Sequence, residues 1–195
     1  VDCLKASSSV VITSMGDLFP DRIEHSLSRL KERVGKENIS VSPDKCFSGF
    51  DAFKNVIFSD VDLVILAAPP HFRPEHLNAA IEAGKHVFME KPVAVDPVGV
   101  RSVIATSELA DTKGLTIVAG TQMRRIAHIV EIMKRIHNGD IGQILGGQCC
   151  RMGDGMMNWG PERHPGWSDM EWQLRCWPYF VWQSGDHIVE QHLHN

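Results

Sequence analysis

Hydrophobic positions fall into short apolar runs separated by longer amphipathic stretches. The run Ser9–Thr13 is rich in β-branched residues and reads as a buried strand. After a turn at Met15–Pro20, Ile23, Leu27, Leu30 and Val34 recur at helical spacing and predict a helix over 21–34, with Pro20 suited to its first turn. Residues 36–48 are polar and mixed, with one short strand around Ile39–Val41, and Phe50, Phe53 and Ile57 mark a short helix. Asp62–Ala68 is a nearly continuous apolar run, the pattern of a strand buried on both faces of a parallel sheet, and Pro69 and Pro70 end it. A helix over Pro74–Ala83 is closed by Gly84. A strand at His86–Met89, a helix at Val98–Ala110, a strand at Thr116–Ala119 and a helix at Arg124–His137 follow.

Strands alternating with helices at this spacing predict βαβ units. Right-handed crossovers place helices on both sheet faces. The fold class is therefore α/β, a Rossmann-like doubly wound parallel sheet. The composition changes near residue 150. All five tryptophans lie between Trp159 and Trp182, and Met152, Met156, Met157 and Met170 fall in the same region. The expected division is a first domain over 1–140 and the start of a second over 141–195, opening with a strand at Gln143–Arg151.

The 195 residues suit one domain and part of another, and 43% hydrophobic with 23% charged residues excludes general disorder. A formal charge of −4 gives no basic field for nucleic acid. No apolar run reaches ~18 residues, so no membrane-spanning helix is expected. The five cysteines, Cys3, Cys46, Cys149, Cys150 and Cys176, form no CxxC and read as reduced thiols, which predicts the cytoplasm. Cys149 and Cys150 cannot both face one way on a strand and read as structural. The chain begins with Val1 and stops without a helix-ending glycine, which reads as a fragment cut at both ends.

Open parallel sheets bind ligands beyond the carboxyl ends of their strands. That rule selects Asp17, then Pro69, Pro70 and His71, then Glu90, Lys91 and Pro92, then Thr121 and Gln122. An acidic residue at Asp17 suits the ribose hydroxyls of NAD and repels a 2′-phosphate, although an Asp that caps a helix or sits in a turn is the commoner reading of the residue alone. Arg22 is the residue that could favour NADP. The glycine-rich phosphate loop belongs ~20 residues before Asp17. No glycine occurs in Val1–Ser9, so the loop is expected upstream. Pro92 confines Lys91 to extended geometry, or permits a cis bond, and so aims the lysine into the cleft. There it can stabilise negative charge on a substrate oxygen, or simply be a solvated lysine.

Residues 62–95, with an apolar strand, Pro69-Pro70, His76, an Ala-Gly-Lys-His-Val run and Glu90-Lys91-Pro92, closely resemble the glucose–fructose oxidoreductase, inositol dehydrogenase and MocA family. Leu18–Arg22 and Gly120–Arg125 are similar to further family segments. The resemblance implies a Rossmann domain followed by an α/β domain with an open antiparallel sheet. It implies a dinucleotide, NAD or NADP, contacted by Asp17, Leu18, Pro69, Pro70, His71, His76, Glu90, Lys91, Pro92 and Gln122. It also implies an acidic residue and a histidine four apart on a helix of the second domain, matched by Glu190 and His194 after Ser184-Gly185-Asp186. Many members carry Asp where this chain has Glu190.

Residues four apart share a helix face, so Glu190 and His194 can address one ligand, with His187 one turn earlier. Catalysis is expected from Lys91, Glu190 and His194, and substrate contacts from Lys91, Arg124, Arg175, Trp177 and His187. His187, Glu190, His192 and His194 also offer metal ligands, but no HExxH occurs and no metal is expected. The tryptophan-rich stretch Met152–Trp182, with Arg151, Glu162, Arg163, His164 and Arg175, reads as an aromatic wall for a sugar or as packing between domains or subunits.

Three functions remain open at this level. The first is hydride transfer between a nicotinamide and a secondary alcohol of a sugar or cyclitol, in a homo-oligomer. The others are an NAD-dependent glycosidase using transient oxidation and elimination, and a non-catalytic sugar binder.

Overall fold

The computed structural model describes residues 1–35, 37–150 and 161–194. Their order is α1 (Asp2–Ala6), β1 (Met15–Asp17), α2 (Pro20–Val34), β2 (Cys46–Ser48), α3 (Ala52–Ile57), β3 (Leu63–Leu66), α4 (Arg73–Glu82), β4 (His86–Met89), α5 (Pro97–Thr112), β5 (Ile117–Ala119) and α6 (Ala127–His137). Then come α7 (Asp169–Arg175), α8 (Val181–Ser184) and α9 (Asp186–Glu190). Among the described residues the strands make two parallel sheets, ordered β2-β1 and β3-β4-β5. Leu63 pairs with His86, and Val87 with Ile117. The parallel α/β class expected from the alternation is the class observed.

The core forms where the sheet meets its helices. Val64 and Leu66 of β3 and Val87 and Met89 of β4 cluster with Leu77, Ala80 and Ile81 of α4 and with Val103 and Ala110 of α5. Leu77 and Ile81 are fully buried, and each such side chain contributes about 1.5–3 kcal/mol. Asp96 caps α5 by accepting from the Gly99 amide at 2.6 Å.

Several expectations are corrected. β3 is buried on one face, not two: Leu63 and Ile65 are 46% and 49% exposed. Successive strand side chains alternate between faces, and α4 and α5 lie on the Val64–Leu66 side. No described element buries the other side of β3. The run Ser9–Thr13 is not a strand; only Ile12 makes a bridge, to Ile39, so the strand expected around Ile39–Val41 shrinks to that residue. β1 lies two residues later and pairs with β2, which the polar stretch 36–48 concealed. Gly16 accounts for the placement. A Cβ there would stand 2.9 Å from Val56 Cγ2 and 3.3 Å from the Ala52 carbonyl oxygen, so α3 approaches this backbone as only glycine permits.

The strand expected over Gln143–Arg151 is absent from its described residues, where Ile144 and Leu145 are exposed. Arg151, Met152, Met156, Met157 and Trp159 lie outside the described residues. The described part of 141–194 contributes no strand to the antiparallel sheet expected there. Cys149 and Cys150 are both exposed, so they pack no core.

Residues 161–194 instead form a strap of short helices that returns over the first unit. Ser168 Oγ caps α7 through the Glu171 amide at 3.1 Å. Buried Gln183 donates to the Gln173 carbonyl at 2.8 Å, tying α8 to α7. Gly185, with φ +77°, turns the chain from α8 into α9. A Cβ on Gly185 would meet Val189 Cγ1 at 2.9 Å and Val95 Cα at 3.2 Å.

Candidate active site

The parallel sheets place their carboxyl ends on one side, and the strap crosses them. At the end of β1, Asp17 Oδ1 accepts the Phe19 amide at 2.9 Å, and the Leu18 carbonyl accepts from Gly49 beside β2. Arg175 of the strap lands here. It pairs with both carboxylate oxygens of Asp21, at 2.9 and 3.0 Å, and with Glu171 at 2.9 Å. Its guanidinium lies 3.8 Å from the Phe19 ring centre. Arg22 donates to the Arg175 carbonyl at 2.8 Å. Arg175 thus sits at the β1 end, not beside Lys91, where a substrate contact was expected.

Beyond β3, Pro70 is buried and starts a 3₁₀ turn, Pro70–Phe72. His71 and Phe72 meet Trp182 of the strap edge-on, at 5.3 and 6.5 Å. His76 lies deeper, stacked on Phe53 at 4.1 Å. Burial, with the nearby Arg73 charge, pushes its imidazole down to about 4. It is a neutral packing residue in this structure.

Beyond β4, Lys91 Nζ donates to Glu190 Oε1 at 2.8 Å and to the Glu190 carbonyl oxygen. The two side chains are only 10% and 8% exposed. The Lys91–Pro92 peptide is cis. Glu90 tucks its carboxylate against Gly120; a Cβ there would stand 2.7 Å from Glu90 Oε2. Beyond β5, Gln122 and Arg124 lie in a 3₁₀ turn, Gln122–Arg125. A cavity of about 580 Å³ opens here, lined among others by Glu90, Gly120, Thr121, Gln122, Arg125 and His194.

The structure pairs Lys91 with Glu190 and gathers Glu90, Gln122 and His194 around the cavity, but not in the expected manner. Glu190 and His194 do not share one α-helix: α9 ends at Glu190, and His192–His194 is a 3₁₀ turn. Glu190 consequently turns onto Lys91, while His194 lines the cavity. His187 packs edge-on against His192 at 4.6 Å. Trp177 is half-buried in a 3₁₀ turn, Trp177–Tyr179. Arg124 is exposed, and its neighbour Arg125 lines the cavity. Arg125 and the buried Arg73 were missed. Among the described residues no group of three potential metal ligands assembles, and no helix is long and apolar enough to cross a membrane.

Two ends of this edge suit a dinucleotide. Asp17 is half-buried, and the Phe19 amide orients its carboxylate through Oδ1. The Glu90–Gln122 end offers a cavity lined by hydrogen-bond donors and acceptors. Residues 1–14 contain no glycine, so a glycine-rich phosphate loop is not among them.

Comparison with known proteins agrees with this geometry. The profile of an oxidoreductase family with an NAD-binding Rossmann fold matches residues 22–121. A glycosyl hydrolase family 109 protein of Streptomyces coelicolor is 26% identical over 137 residues, which cover 70% of this chain and 27% of that protein. Inositol 2-dehydrogenase 3 of Saccharopolyspora erythraea is 36% identical over 92 residues, covering 47% of this chain and 26% of that protein. The crystal structure of scyllo-inositol dehydrogenase from Lactobacillus casei with NAD(H) and scyllo-inositol shares the fold. Its TM-score is 0.52 at 21% identity, covering 67% of this chain and 34% of that one. The chain spans about a third or less of the length of these proteins. It belongs to the glucose–fructose oxidoreductase, inositol dehydrogenase and MocA family of oxidoreductases with an NAD-binding Rossmann fold.

Proposed function

We propose that the protein carrying this chain is a nicotinamide-dependent oxidoreductase acting on a secondary alcohol, or the matching ketone, of a sugar or cyclitol. The observation that carries this reading is the junction of Lys91 and Glu190, ninety-nine positions apart, next in sequence to Glu90 and close in sequence to His194, which line a cavity. The cofactor, when bound, exchanges hydride with the substrate carbon. Lys91 donates a hydrogen bond to the substrate oxygen and stabilises its negative charge. His194 holds or accepts the hydroxyl proton. Glu190 fixes the Lys91 ammonium. Asp17 favours NAD over NADP, since its carboxylate opposes a 2′-phosphate. Arg22, the residue able to favour NADP, is engaged by the Arg175 carbonyl.

Lys91→Ala, made in the product of the complete gene, tests the reading. Turnover should fall by roughly 10²-fold or more while dinucleotide affinity stays within about twofold. Unchanged turnover removes Lys91 from the mechanism. A second reading is favoured by the similarity to a glycosyl hydrolase family 109 protein. In it the same residues serve a transient oxidation that drives loss of a glycoside. Glycoside cleavage without net NADH formation selects that reading; stoichiometric NADH selects the first.

A further inference from the structure

A cation is buried behind this site. Arg73, the first residue of α4, is 3% exposed, yet no carboxylate among the described residues lies within ion-pairing distance of it. Its Nη1 donates to the Pro92 carbonyl oxygen and its Nη2 to the Ala68 carbonyl oxygen. Its Nε is buried without a partner. The charges of Glu90 and Glu190 reach it from the site side and oppose the effect of burial, which still lowers its pKa to about 10. A buried guanidinium spent on two carbonyls is costly, and packing alone would be served better by an apolar residue.

The two carbonyls locate its purpose. Ala68 lies two residues beyond β3, and Pro92 is bonded directly to Lys91. The guanidinium is planar, with donors in a fixed fork. It therefore joins the exit loops of neighbouring strands at a set spacing and immobilises the carbonyl next to the lysine. We propose that Arg73 is the positioning residue of this site: by bridging the Ala68 and Pro92 carbonyls it fixes the backbone that aims Lys91 at Glu190. The proposal rests on the reading of Lys91 given above only for its catalytic consequence, not for the positioning itself.

The test compares Arg73→Met and Arg73→Lys with the parent. The first readout is independent of activity: the rate at which an amine-reactive acylating reagent modifies each lysine, followed by mass spectrometry. Lys91 should be modified about tenfold faster in Arg73→Met and by a smaller factor in Arg73→Lys. Lys113 donates to the Ile81 and Glu82 carbonyls at the far end of α4. Its rate should not change, and an equal rise at Lys113 means that α4 has merely loosened, which overturns the proposal. In the complete gene product, kcat should fall by roughly 10²-fold in Arg73→Met, as for a misplaced catalytic group, with partial recovery in Arg73→Lys and unchanged dinucleotide affinity. Faster modification of Lys91 in an enzyme that tolerates Lys91→Ala leaves the positioning standing and removes the catalytic reading. Parent-like rates at Lys91 in both variants overturn the proposal. If neither variant folds, as judged by circular dichroism, Arg73 is a structural residue and the proposal also falls.

Discussion

Replacing Lys91 by Met should release the strap from the sheet edge. The substitution keeps the volume but deletes two hydrogen bonds, one to Glu190 Oε1 and one to the Glu190 carbonyl. It leaves a carboxylate that is 8% exposed without its ion-pair partner. Breaking a buried pair by removing one partner costs about 3–5 kcal/mol. Gln191 Nε2 still donates to the second carboxylate oxygen, which points to the lower end, about 3 kcal/mol. That is a shift of roughly 150-fold in the closed-to-open equilibrium of the strap. Amide hydrogen exchange reads it directly. The amides of Gln183, Gly185 and Gln191 donate to Phe180, Val181 and His187 carbonyls, and they should lose protection by that factor. The Val87 amide, bonded to Thr116, should exchange as before. The double variant Lys91→Met with Glu190→Leu should regain most of the protection, since paired removal leaves no orphaned charge. A change below about fivefold in the single variant, or equal losses at Val87, would refute this reasoning.

Two further outcomes follow from the geometry. His76 has its pKa lowered from 6.5 to about 4 by burial and by Arg73. The unfolded chain therefore takes up a proton across that window that the folded chain refuses. Stability is full above pH 6.5 and declines as pH falls toward 4, by at most about 1.4 kcal/mol per pH unit; urea titrations should show this slope, and His76→Phe should flatten it. Gly185→Ala combines a left-handed backbone with contacts of 2.9 Å to Val189 Cγ1 and 3.2 Å to Val95 Cα. It should cost the strap about 1–3 kcal/mol, seen as faster exchange at Gln183 and Gln191 with β4 unaffected.

What the sequence could reveal depended on whether the deciding interactions were local. The segment from Leu63 to Met89 was legible because an apolar run, a Pro pair, a helix start and a capping glycine each act within a few residues. β1 was not, because Gly16 earns its place through a helix forty residues away, and the β-branched run before it advertised the wrong register. The alternation of Leu63, Val64, Ile65 and Leu66 could not announce which face would be covered, since that is decided by where α4 and α5 settle. Lys91 was recognisable from its place between a strand and a proline. Glu190 was picked out by the family resemblance and by a spacing that joined it to His194 on one continuous helix; its pairing with Lys91 was not legible, because the helix ends at Glu190. Arg73 left one overlooked signal: a cation at the start of a helix opposes the helix dipole, so such a residue needs another employer.

The strap also has a consequence as a tethered ligand. Its anchor, Arg175 on Asp21, lies fifteen positions before Glu190 on the same polypeptide. A short tether holds its free end near the target at millimolar effective concentration. Glu190 therefore meets Lys91 as an intramolecular partner whose local concentration is set by a contact beside the other sheet. Substitutions at Asp21 or Phe19, which touch none of the reacting groups, would lower that concentration and so alter how often Lys91 is engaged. Sequence variation around α2 is then a means of tuning the site from a distance, without altering the lysine, the glutamate or the residues that line the cavity.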